Sequence, residues 1–189
     1  MNSRLSAAAI GLLLMSGCAA PPVHFYTLGA PSVALNTTAL NPTMPVVALD
    51  RITLPDYLDT QDMAVRSGNE IMRSANGRWA ERLSEAATSL LAARLGESWP
   101  NTFVTTARQS STPNARLSIN VTRLDITQNG QGTLEADWTL VPADEHRDVS
   151  RARGIFTASG VTTTDGGNAA LTERLFNALA QRIAHSIHP

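Results

Sequence analysis

Residues 116–140 read RLSINVTRLDITQNGQGTLEADWTL. Apolar and polar residues alternate on both sides of Asn129-Gly130, a residue pair typical of tight hairpin turns. Before the turn, the alternation changes phase after Val121, which predicts a β-bulge near Thr122-Arg123. The stretch therefore predicts two long antiparallel strands that are joined by a tight turn.

Further strands are predicted on both sides of this hairpin. The segment Ser67-Gly68-Asn69 separates two short apolar runs and predicts a second hairpin with a three-residue loop. The other predicted strands are rich in β-branched, aromatic or alternating apolar residues and lie at 23–28, 46–54, 103–106 and 151–161.

Two amphipathic helices are predicted between and after the strands. The first is expected to have Asn76 as its N-cap, Trp79 on its apolar stripe and Gly96 at its C-cap, with Trp99 exposed beyond it. The second is expected to be capped by residues 165–168 and to carry leucines and isoleucines at helical spacing. The order of strands, helix, strands and helix predicts an α+β two-layer sandwich. We expect a mainly antiparallel sheet with both helices on one face, which leaves the other face as a candidate partner surface.

The N-terminus has the pattern of a secretory signal. Arg4 precedes an apolar run over residues 5–15, and the small residues Ser16-Gly17 come directly before Cys18. A basic start, a short apolar run and small residues at the cleavage site are typical of a signal peptide. The run is shorter than the roughly 20 residues that a transmembrane helix needs.

Residues 15–18 (MSGC) resemble the lipobox of bacterial lipoproteins. The resemblance implies cleavage between Gly17 and Cys18 and acylation of Cys18. An ordinary signal peptide with an incidental cysteine is the alternative. The predicted organisation is a lipoprotein signal peptide at 1–17, a lipidated N-terminus and short spacer at 18–23, and one folded domain at 24–189.

Composition limits the remaining function classes. Hydrophobic residues make up 43% of the chain, which is enough for one ordinary core. Removal of residues 1–17 takes away Arg4 and no acidic residue, so the net charge changes from −1 to −2. This balance argues against a nucleic-acid partner. Cys18 is the only cysteine, so a lipidated Cys18 leaves no thiol for a disulfide, a zinc site or a nucleophile.

Catalysis and metal binding have weak candidates. No Gly-x-Ser-x-Gly motif marks a nucleophile. His24 lies in a predicted strand, His146 lies in a charged loop, and His185 with His188 would form a two-ligand site at a chain end. Gly166-Gly167 before a helix is explained by capping, because Asp165 would repel a phosphate. We therefore predict no enzyme activity, no catalytic residue, no metal site and no cofactor.

Three motifs together are similar to the PqiC/YmbA family of transport-associated lipoproteins. The lipobox is followed by Phe25-Tyr26-Thr27-Leu28, which resembles the family's YYxL opening. Residues 47–58, which end in Leu54-Pro55-Asp56-Tyr57-Leu58, resemble its V-x-x-V-x-[VL]-P-x-Y-L element. Residues 71–83, which contain Asn76-x-x-Trp79-Ala80, resemble a third element of the family.

The resemblance implies a non-catalytic, lipid-anchored and periplasm-facing subunit of an ABC-type lipid transport system. Its implied partners are an MCE-domain protein that spans the periplasm and further copies of the chain in a ring. An Asp directly after the lipidated cysteine retains enteric-type lipoproteins at the inner membrane. Ala19 occupies that position here, which favours the outer membrane.

The loop Pro55-Asp56-Tyr57-Leu58 is the candidate partner or oligomer surface. Apolar residues in a loop after a strand are not forced into the core, and exposed apolar groups mark contact sites. Simple packing is the alternative.

An alternative function is regulation of a cell-envelope enzyme such as a peptidoglycan synthase. That function predicts a long disordered tether, whereas the predicted spacer extends only over residues 19–22. A periplasmic hydrolase would need a base and a nucleophile that the sequence does not offer.

Overall fold

Eight strands and two helices follow one another in the computed structural model, which describes residues 21–29, 41, 43–108 and 111–187. The strands are β1 (His24–Tyr26), β2 (Val46–Leu49), β3 (Asp62–Ser67), β4 (Glu70–Trp79), β5 (Phe103–Thr105), β6 (Ala115–Ile126), β7 (Gln131–Pro142) and β8 (Ser150–Ser159). The helices are α1 (Leu83–Ser98) and α2 (Asp165–Ser186).

The predicted long hairpin is confirmed as β6 and β7. Its turn contains Gly130 with a φ of 84°, a left-handed conformation that glycine adopts without the strain that a Cβ would add. The pairing shifts register between Val121 and Arg123, which confirms the predicted bulge. Strand β8 extends the hairpin with ten antiparallel pairs from Gln131↔Ser159 to Leu140↔Ser150.

The strands form two sheets, and the α+β fold is confirmed. The order is β5-β2-β6-β7-β8 in the larger sheet and β1-β4-β3 in the smaller one. An isolated bridge between Arg66 and Thr127 connects β3 to the end of β6. The long strand pairs are antiparallel, whereas the short strands β1, β2 and β5 pair in parallel.

The prediction for the start of the first helix is wrong. Residues 76–79 belong to β4, where Gly77 and Trp79 pair with His24 and Tyr26 of β1. This tertiary pairing overrides the local helical pattern. Helix α1 begins only at Leu83, and its N-cap residue Arg82 makes no side-chain cap.

The predicted end of this helix is also wrong. Gly96 lies inside α1, which ends at Ser98 with Trp99 as C-cap residue. Trp99 is buried instead of exposed, and its indole Nε1 donates to the carbonyl oxygen of Ala184 at 3.4 Å. The second helix begins at Asp165, and Thr164 rather than residues 165–168 is its cap.

The second hairpin is confirmed with a shorter loop than predicted. Ser67 pairs with Glu70, so the loop holds two residues instead of three. Gly68 has a φ of 59°, which provides the left-handed conformation that a two-residue turn needs.

Both helices contribute to one core, and they contact each other and the strands. Trp79 and Trp138 are buried, as predicted, although Trp79 lies on β4 and not on a helix. The largest side chain that is fully buried is Phe176, on α2. Within the described residues, neither helix is long and apolar enough to cross a membrane.

Candidate partner surface

The strands present one face that the helices do not cover. Pairing in register places Arg123, Glu135 and Ile155 in one row across β6, β7 and β8. Side chains alternate along a strand, so these residues point away from the buried Leu124 and Leu134. We call this surface the helix-free face; its members are Tyr57, Arg66, Asn120, Arg123, Asp125, Glu135, Asp137, Arg153 and Ile155.

A buried carboxylate organises one end of the helix-free face. Asp125 is only 4% exposed. Its Oδ1 accepts a hydrogen bond from Arg66 Nε at 2.5 Å, and its Oδ2 accepts one from Arg123 Nε at 2.5 Å. Arg123 also contacts Glu135 at 3.2 Å. Because Arg66 lies on β3 and Asp125 on β6, this cluster connects the two sheets.

The cluster lowers the pKa of Asp125. Burial is the largest single effect and raises this pKa, but the hydrogen bonds from Arg66 and Arg123, together with their positive charges, outweigh it. The same contacts raise the pKa of both arginines. Asp125 is therefore a carboxylate at neutral pH, with both oxygens bonded.

We expect Asp125→Asn to lower the free energy of unfolding by about 2 kcal/mol at pH 7. The lowered pKa means that the folded state binds fewer protons than the unfolded state. The stabilisation of the fold by the Asp125 carboxylate is therefore complete above the pKa of an unfolded aspartate. It is lost as the pH falls below about 4. Urea unfolding of both proteins from pH 7 to pH 3 measures this difference.

Asp137→Asn is the matched control on the neighbouring strand. Asp137 is 38% exposed and contacts Arg153 at 3.9 Å, so its loss should change the stability by less than about 0.5 kcal/mol. A stability difference between wild type and Asp125→Asn that stays constant down to pH 3 would contradict the assigned role of the charge.

The predicted partner loop, residues 55–58, adjoins this cluster. Tyr57 is 37% exposed, and its hydroxyl lies 3.4 Å from Arg66 Nη2. Asp56 is exposed and Pro55 is half-buried. Leu58 packs in the core and offers no contact surface, because the turn that begins at Pro55 directs it inward. The candidate surface of this loop is therefore reduced to three residues, and their contact with a partner stays a prediction.

The Arg66, Arg123 and Asp125 cluster was not predicted from the sequence. A signal was present, since Asp125 stands between two apolar residues in a strand whose phase shifts at the bulge. Its partner Arg66 is 59 residues away, and only the bridge between β3 and β6 brings it close.

The other candidates lie on separate elements. His24 is exposed on β1, and His146 is exposed in the loop between β7 and β8. His185 is exposed in the last turn of α2, where its Nδ1 lies 2.6 Å from the carbonyl oxygen of Gln181. The backbone N–H of Gly167 donates to Thr164 Oγ1 at 3.1 Å, so Thr164 is the cap and the glycine pair lies in the first turn of α2. No group of three or more possible metal ligands occurs in the described part of the chain.

Gly17, Cys18 and His188 lie outside the described residues. Cleavage and lipidation at Cys18 stay predictions.

Comparison with known proteins establishes the family. The family model described as the ABC-type transport auxiliary lipoprotein component matches residues 26–184. The chain belongs to this family. The resemblance to PqiC/YmbA lipoproteins is thereby confirmed, and the chain is an auxiliary lipoprotein of the cell envelope. Membership of a family of transport auxiliary components favours a non-enzymatic role.

Solved structures share the fold of this auxiliary lipoprotein. A crystal structure described as an uncharacterized protein has a TM-score of 0.74 at 15% identity, and the match covers 89% of this chain and 100% of the other. Protein XCC0632 from Xanthomonas campestris has a TM-score of 0.58 at 16% identity, with 76% of this chain and 86% of that chain covered. Comparison with curated proteins finds no match.

Proposed function

We propose that this auxiliary lipoprotein serves an MCE-type intermembrane lipid transport system. In this role it is a non-catalytic subunit, held at the outer membrane, that docks the transporter and thereby supports membrane integrity. The observation that carries the proposal is the family match, which begins at Tyr26, eight residues after Cys18. A folded domain so close to a lipidated residue stays near the bilayer.

The anchor is assigned to Cys18. Membership of a lipoprotein family requires a cysteine for acylation, and the sequence has no other. More than one acyl chain makes the attachment stable, whereas a single chain dissociates readily. Ala19 after the cysteine supports export to the outer membrane over retention at the inner membrane.

The helix-free face is the proposed docking surface for the MCE protein. It combines Ile155, which is 67% exposed, with Tyr57 and with the charged side chain of Arg153. Aromatic and arginine side chains are enriched at protein interfaces. A tether raises the effective concentration of this face for a partner that reaches across the periplasm.

Further copies of the chain are the second proposed partner, in a homo-oligomeric ring. Strand β8 supports this proposal because it is an edge strand of ten residues, Ser150–Ser159. The unpaired N–H and C=O groups of an edge strand can pair with another chain.

Photo-crosslinking in living cells tests the docking proposal. The photoreactive p-benzoylphenylalanine replaces either Tyr57 or Ile155 of the tagged lipoprotein. Arg182, exposed on α2 and outside the helix-free face, is the matched control position. We expect cross-links to an MCE protein from the first two positions and not from position 182.

Two results would contradict the proposal. Repeated cross-links to a peptidoglycan synthase would favour the regulatory alternative. Cross-links to the MCE protein from position 182 alone would place the docking surface on the helices.

A further inference from the structure

Two large apolar side chains project into solvent at the start of β1. Phe25 is 65% exposed and Val23 is 49% exposed. Val23 directly precedes β1, and residues two apart on an extended chain share a side, so we infer that both point the same way. Tyr26 points to the opposite side, where it packs against the core near Gly166 of α2. Burial in the domain therefore does not explain Val23 and Phe25.

Two arginines of the neighbouring strand β4 share one carboxylate close to Phe25. Strand β1 is an edge of its sheet and pairs only with β4 among the described residues. Phe25 stands in register with Arg78. Arg78 and Arg73 both pair with Asp62, at 3.2 and 3.3 Å, so two guanidinium groups share one carboxylate. An anionic surface would find a favourable partner here.

The covalent chain keeps these residues near the anchor. Val23 is five residues after Cys18 and Phe25 is seven. A fully extended residue spans at most about 3.6 Å, so Val23 lies within about 18 Å and Phe25 within about 25 Å of the acylated residue. The headgroup layer on each side of a bilayer is roughly 5–8 Å thick. The outer side of β1 can therefore reach the headgroups without stretching the tether.

We propose that Val23 and Phe25 contact the surface of the lipid bilayer, with Arg73 and Arg78 facing the lipid phosphates. The inference rests on the lipid anchor at Cys18. Apolar side chains that enter the boundary between headgroups and acyl chains are stabilised there, and nearby arginines favour anionic lipids. The contact would set the orientation of the domain on the membrane, which the acyl chains alone do not do.

Fluorescence quenching in vesicles tests this contact. The lipidated protein carries Val23→Cys labelled with bimane. Ile155→Cys with the same label is the control at a site that is more exposed, 67% against 49%. The vesicles contain phosphatidylethanolamine, phosphatidylglycerol and a lipid spin-labelled near its headgroup. We expect the label at position 23 to lose most of its emission and the label at position 155 to keep it. Phe25→Asp should restore the emission at position 23 while the protein still floats with the vesicles.

The remaining outcomes separate this inference from the proposed function. A protein that does not float with the vesicles refutes the anchor and, with it, the inference. A protein that floats while the label at position 23 keeps its emission refutes the membrane contact alone. A third outcome is an emission from position 23 that is blue-shifted equally in vesicles and detergent and is not quenched by spin-labelled lipid. This outcome would assign the site to a second copy of the chain and overturn the inference.

Discussion

Cys18→Ser is expected to release the protein from the membrane. Serine carries no thiol for acylation, and no second cysteine can take its place. The test expresses residues 18–189 with serine at position 18 behind a signal peptide whose cleavage does not depend on lipidation. Cell fractionation should recover this variant in the soluble periplasmic fraction, and its support of lipid transport should be lost.

Ala20→Ser in the native precursor is the control, because it leaves Cys18 and Ala19 unchanged and should stay membrane-bound. The soluble variant should unfold at the same temperature as the mature protein, since Cys18 precedes the folded elements. A soluble variant that supports transport fully would show that the anchor is dispensable.

Phe176→Ala is expected to lower the free energy of unfolding by about 3–5 kcal/mol. Phe176 is fully buried on α2, so truncation removes apolar contacts and leaves a cavity that the packed core fills only in part. The melting temperature should fall by on the order of 10 °C, measured by calorimetry or circular dichroism.

Phe25→Ala makes the same chemical change at a site that is 65% exposed. It should alter the stability by less than about 0.5 kcal/mol, because its side chain already contacts water. Equal losses for the two variants would show that Phe176 does not contribute more to the core than an exposed phenylalanine.

The long hairpin could be predicted because its signals are local. The alternation over residues 116–140, the change of phase after Val121 and the Asn129-Gly130 turn each act within a few residues. The first helix was predicted six residues too early because the pairing of β4 with β1 is not local. Gly77 pairs with His24, 53 residues before it, and no pattern near Gly77 reports this contact.

Some features of the candidate surface could likewise be predicted from local sequence, and others depend on distant contacts. The exposure of Tyr57 and Asp56 follows from a loop with a proline and a turn, whereas the inward direction of Leu58 depends on the core beneath it. Asp125 could be noticed in the sequence as an acidic residue in a buried strand. The bridge between β3 and β6 brings Arg66 close enough to bond Asp125. The bonded pair then connects the two sheets.

The α+β class, the long hairpin and the resemblance to transport-associated lipoproteins could all be predicted from the sequence. These features depend on periodicity, turn residues and short motifs, which are properties of neighbouring residues. Three other features are visible only in the folded chain: the strands divide into two sheets, β4 continues to Trp79, and Asp125 is buried between two arginines. These features depend on contacts between distant segments, whose free energy overrides the local propensity of each segment.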